Sequence, residues 1–229
     1  MKKKTESASV KKARAERIVA LLEQKYPESE CALKYSGEGW KLLVLGRLSA
    51  QCTDARVNIV GEELFKKFPD PQSLARCELA DLENVIRPCG LYHTKAKDIK
   101  ASCALLCERY GGKVPDDMDT LLTFPGVGRK IANLLLGDLY SRPAIVADTH
   151  CIRISERLGL TKEGEKDPVR TEKTLVGLIP PEKSAEFCHR LVEFGREVCS
   201  ARRPDCENCI LSAECDFYSN KVKAVDKQA

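Results

Sequence analysis

Leu121-Leu122-Thr123-Phe124-Pro125-Gly126-Val127-Gly128-Arg129-Lys130 decides how the chain around it folds. Pro125 and Gly126 stop a preceding helix. Gly128 lets the chain re-enter a following one without a Cβ clash. Beyond it, Ile131, Leu134, Leu135 and Leu139 recur at helical spacing. The second helix therefore begins with free N–H groups beside a glycine backbone that admits close approach. A phosphate oxygen fits such a place.

A bare Gly-x-Gly would mean no more than a turn between helices. The full Phe-Pro-Gly-Val-Gly-Arg-Lys string is more specific and matches the helix-hairpin-helix element of DNA-binding proteins. Gly126, Val127, Gly128 and Arg129 are thus expected to hold DNA phosphate through their backbone.

The same periodicity extends outward in both directions. Ile18, Leu21 and Leu22 repeat at i, i+3, i+4. Val57, Val60, Leu64 and Phe68 continue that spacing up to Pro69. Ser73 is a candidate cap for a helix running through Leu79, Leu82 and Ile86 to Pro88. Ala96, Ile99, Cys103 and Leu106 mark another, closed by Gly111-Gly112. Further helices fit near 149–158, 167–178 and 182–197. Only Ala144–Ala147 reads as extended, and it is short. The class is all-α, with roughly ten helices.

Near the C-terminus stand Cys199, Cys206, Cys209 and Cys215, spaced C-x6-C-x2-C-x5-C within 17 residues. Four thiols in so compact a loop suit a soft metal centre. Structural zinc usually uses two short Cys-x2-4-Cys knuckles. Only Cys206 and Cys209 form one, so the spacing favours a [4Fe–4S] cluster over zinc. The chain has twelve cysteines. The other eight (Cys31, Cys52, Cys77, Cys89, Cys103, Cys107, Cys151 and Cys188) are read as core filling, where free cysteine acts as a small hydrophobe.

With 229 residues there is ample chain for a packed core. No stretch of 18 apolar residues is present, which excludes a membrane-spanning helix. No apolar run follows the charged start at Met1–Lys4, so the expected setting is cytosolic and reducing. Net charge is +4, a mild excess that does not by itself demand nucleic acid. Its distribution is more useful. Lys2, Lys3, Lys4, Lys11, Lys12 and Arg14 make a basic start, with a disordered tail expected over 1–12. Lys95, Lys97 and Lys100 share a segment and read as a solvated face. Arg202 and Arg203 lie inside the cysteine loop.

These motifs occur in a recognisable order. Leu48-Ser49-Ala50-Gln51 and Gly90-Leu91-Tyr92 precede the hairpin. Asp148-Thr149-His150 follows Lys130 by 18 residues, and the cysteine loop closes the pattern. From about residue 14 to 218 the chain resembles the endonuclease III family of DNA glycosylases and abasic-site lyases. The resemblance implies two helical domains with the active site in the cleft between them. One is a six-helix barrel, residues 32–142. The other pairs 13–31 with 143–229 and carries the [4Fe–4S] cluster. It implies excision of oxidised pyrimidines from duplex DNA, followed by β-elimination, by a monomer. Lys130 becomes the nucleophile and Asp148 the catalytic carboxylate. Gln51 and Leu91 become wedges that fill the gap left by a flipped base. Arg202 and Arg203 become phosphate contacts. Asp54 and His150 are weaker candidates near the lesion pocket. Cys52, Phe124 and Arg47 depart from the usual family pattern, which points to tuning of that pocket.

The residue types suit this chemistry. A lysine amine attacks sugar C1′ only when neutral, and its ordinary pKa is about 10.4. A helix N-terminus and the adjacent Arg129 should lower it. Asp148 can stabilise positive charge on the sugar and help move the lysine proton. Alternatives are a monofunctional adenine mismatch glycosylase and a non-catalytic iron–sulfur DNA-binding protein. The first lacks a lysine at the Lys130 position, and the second has no need of the Lys130/Asp148 pair.

Overall fold

The structure, a computed structural model, describes residues 6–225, with side chains described through 220. Lys2, Lys3 and Lys4 of the expected basic tail lie outside the described residues. The tail expected over 1–12 gives way to helix earlier than that. The Ser7 side chain accepts a hydrogen bond from Val10 N and caps α1 (Ala8–Lys25), so Lys11 and Lys12 are helical. The chain divides into two compact units. One is Cys31–Ser141; the other joins the residues up to Glu30 with those from Arg142 onward.

The central unit holds α2 (Gly39–Leu48), α3 (Asp54–Lys67), α4 (Pro71–Arg76), α5 (Leu79–Ile86), α6 (Tyr92–Tyr110), α7 (Met118–Leu121) and α8 (Arg129–Tyr140). Its buried apolar residues include Leu43, Leu45, Leu64, Leu82, Ile99 and Leu135. The single helix expected from Ser73 to Pro88 is two helices. Asp70 is the stronger cap, with Pro71 at the first helical position, and Ser73 serves as its reciprocal partner in a capping box. The chain then turns extended at Cys77. The Cys77 carbonyl, freed by that break, accepts a 2.5 Å hydrogen bond from Lys100 Nζ of α6.

The second unit holds α1 together with α9 (Thr149–Arg157), α10 (Pro168–Val176), α11 (Ser184–Glu197) and α12 (Asp216–Val225). Ile18, Leu22, Ile154, Phe187, Leu191 and Phe194 belong to its core. Arg14 is buried rather than part of a tail. Its guanidinium donates to the carbonyls of Leu158 at 2.6 Å and Glu214 at 2.8 Å, and pairs with Glu6 at 2.9 Å.

Among the described residues there is no strand, so the all-α reading holds. Ala144–Ala147, the one extended candidate, is irregular. Two of its N–H groups bond to α11 side chains instead of a neighbouring strand. Ala144 N donates to Ser184 Oγ at 2.8 Å, and Val146 N to Cys188 Sγ at 3.2 Å. Among the described residues no helix is long and apolar enough to cross a membrane.

Candidate functional site

The hairpin is built from below. Its first helix, α7, is a single turn capped by Asp117, whose carboxylate accepts from Thr120 N at 2.8 Å. Val127 N bonds back to the Phe124 carbonyl at 3.0 Å and closes the loop. Phe124 and Val127 are buried, and Phe124 lies 5.6 Å from the Tyr110 ring. Ser102 Oγ donates to the Pro125 carbonyl at 2.8 Å. Gly128 caps α8 with no side chain, so the first N–H groups of α8 lack an intrahelical acceptor. A Cβ added at Gly128 would meet no protein atom within 4 Å. Gly126, Gly128, Arg129 and Lys130 are all exposed. The hairpin thus buries its apolar residues and leaves its backbone donors accessible.

Phe124 and Arg47 both support this hairpin. Phe124 fills the core beneath it. Arg47 pairs with Asp98 at 2.7 Å, and the pair lies against Gly126. Cys52 is half-buried beside Cys89. Of the remaining non-cluster cysteines, Cys89, Cys103, Cys151 and Cys188 are buried; Cys31, Cys77 and Cys107 are half-buried.

Gln51 and Leu91 share an unusual backbone state. Both lie in the left-handed region, at φ 54 and φ 48, where non-glycine residues are uncommon. Both side chains are exposed. Leu91 stands immediately before α6 as its N-cap. Asp54 opens α3, half-buried, three residues after Gln51.

In the second unit, Asp148 caps α9 as its residue type suggests. Its Oδ1 accepts from Cys151 N at 2.7 Å. His150 is packed against α11: a Cβ on Gly195 would fall 2.3 Å from its Nδ1. Arg153 Nη2 stands 3.2 Å from the same nitrogen.

Cys199, Cys206, Cys209 and Cys215 line one cavity, together with Leu158, Phe194 and Phe217. It encloses about 350 Å³ of empty space, part of it open to solvent. Among the described residues no group of three or more His, Cys, Asp or Glu side chains is arranged to hold a single ion. Burial pushes the Cys209 thiol up to about 11, with the other cavity thiols adding to the rise and the Leu211 N–H opposing it. Burial likewise raises Cys215. Arg157 ties this loop together. Its guanidinium donates to Cys199 Sγ at 3.3 Å and to the carbonyls of Ser200 and Ala201 at 2.8 Å each. Arg202 and Arg203 follow directly and are exposed.

The family profile described as HhH-GPD superfamily base excision DNA repair protein matches residues 47–181. Endonuclease III of Synechocystis sp. is 42% identical over 90% of this chain and 93% of its own length. Endonuclease III of Bacillus subtilis is 43% identical over 83% of this chain and 86% of its own. The chain belongs to the endonuclease III family. A solved structure of a trapped endonuclease III–DNA covalent intermediate, an estranged-adenine complex, superposes with a TM-score of 0.85. It is 38% identical and covers 92% of this chain and 98% of its own. As a member of the endonuclease III family, the protein is a DNA glycosylase and abasic-site lyase of base excision repair.

Lys95, expected on a solvated face, is instead buried, and Arg157, which sequence reasoning did not single out, braces the cysteine loop. Nothing in their spacing tells a lysine that folds inward from one that faces water.

Proposed function

We propose that this enzyme excises oxidised pyrimidines from duplex DNA and cuts the strand by β-elimination, with Lys130 as nucleophile and Asp148 as the assisting carboxylate. The observation that carries the reading is the place of Lys130. It is the second residue of α8, exposed, directly after a hairpin whose glycines leave free N–H donors. A phosphate held there fixes the sugar near the amine.

The neutral Lys130 amine attacks C1′, and the bond from C1′ to the base breaks. The base departs with the electron pair and takes up a proton. Opening of the sugar ring leaves an imine between C1′ and Nζ. The imine acidifies C2′. Loss of that proton drives electrons toward the C3′–O bond, which breaks and releases the 3′ phosphate. Water then hydrolyses the imine and frees the lysine. Asp148 stabilises positive charge on the sugar and shuttles the lysine proton. Gln51 and Leu91 fill the space of the extruded base, and Arg202 and Arg203 hold phosphate.

Cys199, Cys206, Cys209 and Cys215 fit a [4Fe–4S] cluster: four soft donors face one cavity whose walls are largely apolar. The bound cluster supplies a rigid cross-link between cysteine ligands rather than a chemical step. The chain's own Arg157 then aims the Arg202–Arg203 segment from the cysteine loop.

The test is covalent trapping. Abasic-site and thymine-glycol duplexes are incubated with the protein in borohydride, which reduces the imine to a stable amine. Wild type should cross-link to both. Lys130→Ala should bind the DNA but give no cross-link and no excision. Full trapping by that variant would assign the chemistry to another amine.

A further inference from the structure

Lys95 lies among the basic residues of α6, yet its side chain is fully buried at 0% exposure. Its Nζ donates to the Leu48 carbonyl at 2.8 Å and to the Cys89 carbonyl at 2.8 Å. Among the described residues it has no carboxylate partner. Burying an ammonium without a counter-charge is costly. Burial pushes Lys95 below its ordinary pKa, and the nearby Cys89 and Cys52 sulfurs push back. Two charge-assisted hydrogen bonds to carbonyls offset that cost.

The two carbonyls are informative. Leu48 ends α2, three residues before Gln51. Cys89 lies two residues before Leu91. Both segments then pass through a left-handed residue, Gln51 in one and Leu91 in the other. Cys52 N donates to Ser49 O at 3.1 Å just past Gln51, and the Leu91 carbonyl takes the first backbone bond of α6, from Lys95 N at 3.0 Å. One ammonium therefore joins the bases of two strained turns, far apart in sequence, whose exposed residues face outward.

We infer that Lys95 is a positioning residue that locks the Gln51 and Leu91 turns into one unit, so that both side chains enter the DNA stack together. The inference rests on the proposed wedge role of Gln51 and Leu91. Flipping a paired base demands that the vacated space be filled as the base leaves. Two turns moving independently would fill it in separate steps. Two turns joined at a buried ammonium arrive as one body.

The test compares two substrates. Lys95→Met keeps length and removes the charge and the donors. It should slow excision of a paired lesion by roughly 10²-fold, the scale on which a displacement of about 1 Å acts. Cleavage at a preformed abasic site, already unstacked, should fall far less. Leu91→Ala should cost less in the Lys95→Met background than in wild type, because the two changes disable one device. Equal losses on both substrates, no loss, or strictly additive effects would overturn the proposal. If Leu91→Ala and Gln51→Ala in the wild type fail to separate the substrates, the wedge reading fails instead. Hydrogen exchange of the unmodified enzyme decides the linkage even if Lys95→Met does not fold. The Cys52 and Lys95 amides should open at one common rate and gain protection by the same factor on binding an abasic-analogue duplex. Independent exchange of the two amides would refute a shared lock.

Discussion

Gly126 lies against the Arg47 guanidinium: a Cβ built on the glycine would fall 2.4 Å from Nε and 2.6 Å from Cδ. The same Cβ would stand 2.6 Å from Asp98 Oδ2. The glycine thus answers two demands, a left-handed backbone at φ 74 and close contact with an ion pair that supports the hairpin from below. Gly128, two residues on, answers neither. It has no left-handed backbone and no protein neighbour within 4 Å of an added Cβ.

The two glycines should therefore fail differently. Gly126→Ala should destabilise the fold by about 2 kcal/mol, from left-handed strain plus displacement of the Arg47–Asp98 pair. Gly128→Ala should leave thermal stability near wild type and weaken DNA binding about tenfold, because a methyl group would stand at the proposed phosphate position. Thermal melts and binding titrations on both variants separate the effects. A stability loss at Gly128→Ala equal to that at Gly126→Ala would remove the distinction.

Much of this site was legible before the fold was known. The hairpin reads from Pro125 to Gly128 because the proline and the glycines interrupt the helical period there, and at Gly126 the backbone is left-handed, which favours glycine. Asp148 reads as a helix cap because aspartate before Thr149 has that local use, and its Oδ1 does cap α9. The cysteines read from spacing. What escaped depends on long-range packing. Asp70 outcompeted Ser73 as a cap once Pro71 was placed at the first helical turn. Arg47 looked out of place in an apolar helix, yet Asp98, 51 residues away, supplies its partner. Lys95 looked solvated, yet the carbonyls that bury it come from Leu48 and Cys89. Local periodicity carries no record of such partners.

The thiol loop makes a compositional prediction. Four cysteines face one cavity, and soft donors in that number suit iron–sulfur. Protein purified without oxygen should be yellow-brown and carry close to four irons per chain. Replacing any one of Cys199, Cys206, Cys209 or Cys215 by serine should lower iron content and loosen the Arg202–Arg203 segment, seen as faster proteolysis there. Stoichiometric zinc in place of iron would sink the assignment.

The arginines of that loop predict a salt effect. Arg202 and Arg203 are exposed, and phosphate contacts release counterions on binding. Replacing both by alanine should flatten the dependence of log affinity on log salt by roughly one to two charges. Affinity should fall alike for lesion-bearing and undamaged duplexes, since phosphate carries no sequence information. An unchanged salt slope would place these side chains away from the DNA.

Asp148 caps α9 and is the proposed catalytic carboxylate, two roles that substitution can separate. As a cap, its Oδ1 takes the Cys151 N–H at 2.7 Å. As a catalytic carboxylate, it must hold negative charge. Asn keeps a cap acceptor and loses the charge, so Asp148→Asn should melt within a few tenths of a kcal/mol of wild type. Its excision rate should nonetheless fall by roughly 10² or more, on the scale of a lost acid–base group. Asp148→Ala loses both functions and should also give up about 1 kcal/mol of stability. Borohydride trapping should slow in parallel with excision for both variants, because the carboxylate acts before or at imine formation. If Asp148→Asn reacted at the wild-type rate and Asp148→Ala lost only stability, the residue would be a cap alone, and Lys130 would require a different partner for its proton.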